Sequence, residues 1–232
     1  MTVTVTQDPE GIDYFSRGSR LRSIATRIAS RARRRMYQRI TAEISMVEST
    51  RIIDIGLTPD TSLADSNFFE QQHPHPQRII GVSPEPIGSL RSRFPDVTLL
   101  QASGMQLPLR PGAAEVAVSF AVIEHVGSRA HQRELIVELL RVADVAVLTT
   151  PNRWFPVELH TFLPLVHWLP RTAHRRILRL LGMRFWAEEA NLHLLSRRDL
   201  AALVPPTHVP TFLPFRLVGF TSNLVVVVRR AG

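Results

Sequence analysis

Between Arg51 and Asp60 the chain reads RIIDIGLTPD, and this segment limits the possible folds more than any other. Arg51-Ile52-Ile53-Asp54-Ile55 is a β-branched run with the near-continuous apolar character of a strand buried on both faces of a parallel sheet. It stops at an acid and a glycine before a tight turn, where Gly56 permits backbone angles that a side chain forbids. Open α/β sheets bind their ligands at such strand ends.

Four more segments repeat the pattern: RIIGV at 78–82, VTLLQ at 97–101, EVAVS at 115–119 and VAVLTTP at 145–151. Helix-compatible stretches separate most of them. This alternation predicts parallel pairing through right-handed crossovers, and so a single α/β, doubly wound domain.

At 232 residues, with 44% hydrophobic and 21% charged, the chain can bury a full core. It has no apolar run of about eighteen residues, the length that spans a bilayer as a helix. Its first twenty residues lack the basic end and apolar core of a secretory signal. A cytoplasmic protein is expected, with peripheral contact at the inner face of the membrane as an open alternative. Cysteine is absent, which excludes disulfides, thiolate zinc sites and a cysteine nucleophile. The nine histidines are scattered without metal-ligand spacing, so no metal site is expected. His73 and His75, beside Pro74 and Pro76, read as a polar loop. The net charge of +8 comes from a chain whose basic residues are all arginine. Such one-sided usage points to compositional bias, and no specific nucleic-acid partner is expected.

From Arg17 to Arg39 the arginines are dense, with Leu21, Ile24, Ile28, Met36, Tyr37 and Ile40 at helix-compatible spacings. A basic amphipathic helix follows. It either packs on the sheet with its arginines in water or meets an acidic membrane surface. After Pro151 the pattern breaks into a proline-rich, aromatic segment that reads as an inserted cap. Leu195 to Leu203 reads as a short helix capped by Ser196.

The Asp-x-Gly turn, LPL at 107–109, SFAVIEHVGSRAHQRELIVELLRV and VLTTPNRWFPVELHTFLP together resemble the class I S-adenosylmethionine-dependent methyltransferases, in the subgroup with Leu-Pro-Phe, Glu-His-Val and Thr-Pro-Asn-Arg motifs. The resemblance covers roughly residues 50 to 155 in order and spacing. It implies a Rossmann-like, seven-stranded, mostly parallel sheet, closed by an antiparallel strand from PFRLVGF and SNLVVVVRR. The helical, aromatic insert follows the fifth strand. On this reading residues 1–45 are a basic extension, 46–151 the cofactor-binding core, 152–194 a substrate cap, and 195–232 the closing helix and strands.

The resemblance also implies S-adenosylmethionine as cofactor and a set of positions for it. Asp54 and Gly56 keep the first motif, while Thr58 and Asp60 stand where the family has its second and third glycines. Thr58 can offer a hydroxyl to the cofactor carboxylate, and Asp60 can cap a helix near Thr61 and Ser62. Ser83 occupies the place of the ribose-binding acid, with Glu85 as a substitute if the loop bends inward, or as a first-turn helix acid otherwise. Ser103 replaces the adenine-binding acid, with Gly104 and Met105 along the ring and Phe120 on the open side.

Methyl transfer requires alignment of an acceptor, plus a base when that acceptor is a hydroxyl. The candidate bases are His160, oriented by Glu158, and His125. Each has a structural alternative: His160 and Thr161 as braces of the cap, Glu124-His125 as a turn organiser. Trp154, Phe155, Phe162, Trp168, Phe185 and Trp186 either line an apolar tunnel or pack the cap. Arg171, Arg175, Arg176 and Arg179 add a basic face. The expected function is methylation, at oxygen, of a small-molecule, sugar or lipid-linked acceptor. The altered positions at Thr58, Ser83 and Ser103 leave a second reading, a methyltransferase-like binding or assembly subunit without catalysis.

Overall fold

Seven strands form one sheet in the order β3-β2-β1-β4-β5-β7-β6 in the computed structural model, which describes residues 20–60, 66–217 and 219–231. The strands are β1 (Ile52–Ile55), β2 (Ile79–Ser83), β3 (Thr98–Gln101), β4 (Ala114–Phe120), β5 (Ala143–Pro151), β6 (His208–Leu217) and β7 (Phe220–Arg230). The first five pair in parallel, and β7 runs antiparallel to both β5 and β6. The strand order reverses between β1 and β4, and the carboxyl ends of such strands are where open α/β sheets bind their ligands.

Side chains alternate along β1 between two cores. Ile53 and Ile55 enter a cluster with Leu135, Ile136 and Leu139, while Ile52 enters one with Phe69, Val118 and Val227. This double burial is what a strand without polar alternation requires. Asp54 shares the face of Ile52 and is carried into the interior with it.

The helices are α1 (Arg20–Glu43), α2 (Phe68–Gln72), α3 (Arg129–Val142), α4 (Arg171–Leu180), α5 (Arg184–Ala187) and α6 (Arg197–Ala201). Only α3 is a full crossover helix; the link from β2 to β3 contracts to a 3-10 turn at Gly88–Ser92. Met36 and Ile40 of α1 are buried in the second cluster, and Arg31, Arg34 and Arg35 are exposed. Leu21, Ile24 and Ile28 are side chains outside the described set. Ser196 caps α6 in a reciprocal capping box with Asp199.

Two expectations need correction. The edge strand β6 begins at His208, well before PFRLVGF, although Pro210 and Pro214 interrupt it. An edge strand tolerates proline because one row of its N–H groups has no strand to meet. His73 is buried, stacked on Phe69 at 5.5 Å, with Nδ1 3.0 Å from the Tyr37 hydroxyl. It is a core residue in a loop, not a polar one.

No helix among the described residues is long and apolar enough to cross a membrane. The two-core arrangement predicts that Leu139→Ala, at a fully buried site, costs about 2–5 kcal/mol. Val137→Ala, two residues away and 44% exposed, should stay within about 0.5 kcal/mol. Urea denaturation of both variants checks this; equal losses would mean that α3 is not seated as described.

Candidate functional site

The turn after β1 is built around Gly56. Its φ is +119°, a region closed to side chains, and a Cβ there would collide with Val122 after β4. Gly56 and Leu57 both donate their N–H groups to the Val82 carbonyl, at 3.0 and 3.1 Å. Beyond them the loop is latched by Asn67: the Thr58 N–H donates to Asn67 Oδ1 at 2.8 Å, and Asn67 Nδ2 donates to the Thr58 carbonyl at 2.9 Å. The Thr58 hydroxyl accepts from the Asp60 N–H at 3.1 Å. Asn67, left-handed at φ 57°, precedes the next described helix, which starts at Phe68. Asp60 therefore does not cap that helix, and Thr61 and Ser62 lie outside the described residues.

Asp54 is buried below this turn against Glu70. Burial, then the neighbouring Glu70 carboxyl, hold the Asp54 pKa well above its ordinary value. Burial raises Glu70 as well. Two carboxyls that close cannot both ionise cheaply, so the pair keeps a proton.

Ser83 is also buried, and its hydroxyl accepts from the Glu85 N–H at 3.2 Å. The Glu85 side chain is exposed and has no partner among the described residues. Ser103 is exposed and accepts from the Met105 N–H at 3.3 Å. Gly104 lets this loop lie on β1, since a Cβ would come within 2.6 Å of Ile55. Met105 packs against the first core cluster, and Phe120 packs on Phe69 with ring centroids 5.7 Å apart. Ala121 follows at φ +55°, a conformation rarely held without glycine. The fold thus brings Gly56, Gly104 and the Phe120–Val122 segment around the end of β1.

A second constellation lies beyond β4 and β5. Glu124 and His125 sit on a 3-10 turn at Ile123–His125, ahead of α3. His160 reaches the same place from the cap, with its ring centroid 4.9 Å from that of His125 and 5.1 Å from that of Trp186. Left-handed Phe162 and Leu165 (φ 57° and 60°) shape the turn that follows His160. Each histidine is held by one nitrogen: His125 Nδ1 lies 2.7 Å from the Asn191 carbonyl, and His160 Nδ1 lies 2.6 Å from Glu158 Oε1. Glu124 is fully buried, and neither of its oxygens has a hydrogen-bond partner. One potential ligand atom from each of Glu124, His125 and His160 lies within 4.8 Å of the others. Residues scattered in sequence are therefore adjacent in space, in a group chemically suited to a cation.

The two imidazoles are pushed in opposite directions. His125 is lowered, by burial first, with the nearby His160 adding to the effect and Glu124 opposing it. His160 is raised: burial works against its charge, but the hydrogen bond and charge of Glu158 outweigh that. Glu158 accepts from the His160 and Thr161 N–H groups and from the Thr161 hydroxyl, at 2.9, 2.6 and 2.7 Å. It drops to about 2 despite its burial. Glu158 is thus a fixed anion that both orients His160 and braces the cap. The two readings of this segment describe one device.

Behind Trp186 lies an open cleft of about 340 Å³, its solvent mouth included, lined by Arg153, His167, Arg171, His174, Arg175 and His193 among others. Of the four cap arginines expected to form one face, only Arg171 and Arg175 line it; Arg176 is exposed, and Arg179 pairs with Glu188 at 3.2 Å. His167, His174 and His193 carried no legible signal, because nothing in their spacing links them. Trp154, Phe162 and Trp168 are 39–53% exposed and so neither fill the cap interior nor line an enclosed tunnel.

No protein-family model matches the chain. A probable S-adenosylmethionine-dependent methyltransferase of Mycobacterium tuberculosis is 36% identical over 67 residues, covering 29% of this chain and 24% of that protein. A counterpart in Mycolicibacterium smegmatis is 32% identical over 79 residues, 33% of this chain and 31% of that one. The matches thus span less than a third of those relatives. Among solved structures, the N-methyltransferase NodS of Bradyrhizobium japonicum, bound to S-adenosylhomocysteine, aligns with a TM-score of 0.53 at 13% identity, over 86% of this chain and 87% of that one. Magnesium protoporphyrin IX methyltransferase from Synechocystis, with bound S-adenosylmethionine, aligns with a TM-score of 0.55 at 9% identity, over 94% and 88%. At these identities the structural likeness carries the fold.

The Glu158 node makes a pH prediction. A depressed carboxylate stabilises the fold above its unfolded pKa of 4.5 and loses that contribution as pH falls toward about 2. The raised His160 stabilises below 6.5 and loses its share as pH rises through its folded value. Glu158→Gln should therefore cost most, on the order of 2 kcal/mol, between roughly pH 4.5 and 6.5. Thermal melts of both proteins across pH 3–9 check this. A deficit independent of pH would mean that the pair is not ionised.

Proposed function

We propose that the chain is a class I S-adenosylmethionine-dependent methyltransferase that methylates an oxygen of a small-molecule, sugar or lipid-linked acceptor. The cofactor binds beyond β1, where the residues present suit it. Gly56 is exposed at the end of β1, and its φ of +119° together with the close approach of Val122 admits only glycine there. Glu85, exposed, without a side-chain partner among the described residues and two residues past the serine that replaces the usual acid, is the carboxylate placed to accept from a vicinal diol. When bound, S-adenosylmethionine supplies an electrophilic methyl group; the protein has to align the acceptor and take its proton.

The observation that carries this reading is the meeting of His125 and His160 beyond the ends of β4 and β5. Burial favours the uncharged form of His125, which accepts the proton, while the hydrogen bond and charge of Glu158 favour the protonated form of His160. The sequence reading placed His160 first among candidate bases; the electrostatics favour His125. The rate should fall as pH drops through a pKa below 6.5. His125→Asn should remove that acid limb and lower kcat by about 10²–10⁴-fold, with release of S-adenosylhomocysteine from a panel of hydroxyl acceptors as readout. An acid limb that survives in the variant rejects the assignment.

Calorimetric titration with S-adenosylmethionine tests the premise. Heat that saturates in the wild type, with affinity about tenfold weaker in Glu85→Ala, supports the cofactor site. No heat at millimolar ligand would instead favour the non-catalytic binding subunit.

The orphaned carboxylate of Glu124 favours a second, competing reading in which Glu124, His125 and His160, with both rings neutral, hold a divalent cation that polarises the acceptor oxygen in place of the base. Each histidine is locked by its other nitrogen, as metal-binding imidazoles usually are. Manganese titration of chelator-treated protein should show one site that Glu124→Gln removes. Equal binding by wild type and variant excludes it.

A further inference from the structure

Three independent sources of positive potential converge on the cleft behind Trp186. The first is the amino end of α4. Its N-cap position is Pro170, which offers no side-chain cap, and the first turn holds no acid. A helix start attracts anions through its free N–H groups and its dipole, so Arg171 at this end adds positive charge where an acid would ordinarily be favoured.

The second source is an imbalance of formal charge. Glu189 pairs with Arg175 and contacts His193, both at 3.1 Å. Asp199 pairs with Arg129 at 3.6 Å, and Glu158 is taken up by His160 and Thr161. Arg153 and Arg171 make no close ion pair among the described residues, and Asp199, which already pairs with Arg129, is the one carboxylate whose charge acts on both. Arg153 donates to the Leu169 carbonyl at 3.2 Å and lies over the Trp154 ring. Burial, followed by the charge of Arg171, lowers the Arg153 pKa, the response of one cation to a neighbouring one.

The third is a pair of buried histidines. His167 is 2% and His174 9% exposed, and His167 Nδ1 and His174 Nε2 have no hydrogen-bond partner. An orphaned buried nitrogen costs roughly 1–3 kcal/mol, which a ligand atom can offset. Two guanidiniums that share a single nearby carboxylate, the start of α4, the unpartnered His174 Nε2, and a His167 Nδ1 that donates once the ring, held by the Phe155 carbonyl through Nε2, takes up a proton, together match one ligand chemistry: a tetrahedral dianion with several acceptor oxygens.

We propose that this cleft binds the phosphate monoester group of the methyl acceptor. The proposal rests on the methyltransferase reading and narrows its acceptor to a phosphorylated molecule. Trp186 is the wall between the cleft and the His125–His160 pair, so a phosphate held on Arg153 and Arg171 anchors the acceptor one side chain away from the proton-accepting group. Exposed Trp154, Trp168 and Leu169 flank the cleft-lining Arg153 and His167. The ester can therefore be soluble or lipid-borne, and the chemistry recognised is the same.

The test is titration of the full chain, free of nucleotide, with inorganic phosphate at low ionic strength. Calorimetry should show saturable one-site binding that weakens at least tenfold in Arg171→Glu and in Arg153→Gln, and stays unchanged in Arg110→Glu, an exposed arginine outside the cleft lining. Histidine side-chain nitrogen shifts in the wild type give a readout independent of variant folding: those of His167 and His174 should move along the same isotherm. Glycerol 3-phosphate, but not glycerol, should compete, as should vesicles containing phosphatidic acid if the natural ester is a lipid. Competition by only one of the two names the source. No saturable binding, unmoved histidine signals, or competition by neither ester overturns the proposal. S-adenosylhomocysteine titrated into the same samples separates the two levels. Cofactor binding without phosphate binding removes the cleft alone; phosphate binding without cofactor binding removes the methyltransferase reading.

Discussion

The structure depends on burying β1 on both faces. Ile52, Ile53 and Ile55 have nowhere polar to point, so β2 and β4 must flank the strand and a helical layer must cover each side. Once β1 is central, the order reverses beside it, and its carboxyl end is where open α/β sheets bind their ligands. The opposite end of the strand shows what a closed pole looks like. There Arg51 meets Glu115 through Nε and Nη2, at distances down to 2.6 Å, while the Arg51 N–H also donates to the same carboxylate. The carboxyl pole instead carries strained turns, a buried acid pair and unpartnered polar atoms.

Much of this fold was legible because apolar runs without alternation leave few alternatives. The strands were readable from Ile and Val content, and α6 from a serine three residues ahead of an acid. The crossovers were less legible. α2 and the 3-10 turn at Gly88–Ser92 are too short to show a 3.6-residue period, and β6 hides behind prolines that only an edge strand accepts. Nor could sequence show that Asn67 stands in for missing glycines, because its two hydrogen bonds to Thr58 span nine residues.

At the site, legibility tracked sequence distance. Glu158 and His160 are two residues apart, and their pairing was readable; the meeting of His160 with His125 depends on left-handed turns at non-glycine residues, which leave no compositional mark. The same holds for the cleft. Arg171 and Arg175 share a helix face, but Arg153 arrives from the end of β5 and His193 from the segment before α6. The basic character was visible, whereas its focus was not, since focus comes from which arginines find acids.

The unpartnered atoms bind these features into one argument. Glu124, Gln132, His167 and His174 each keep a buried polar atom without a partner, and Ser119 and Thr150 do so on β4 and β5. A core selected only for stability would replace such groups with apolar ones of similar volume, since each orphan costs about 1–3 kcal/mol. Four of them sit at or beyond the carboxyl pole, where the cap meets the sheet. Ligands that satisfy them bind the folded state alone, and so add stability by mass action. Trp186 stands between the Glu124–His125–His160 group and the basic cleft, so the two proposed sites share one wall. Glu158, a low-pKa anion that accepts from the His160 and Thr161 N–H groups and the Thr161 hydroxyl, fixes the His160 turn through contacts within the chain alone.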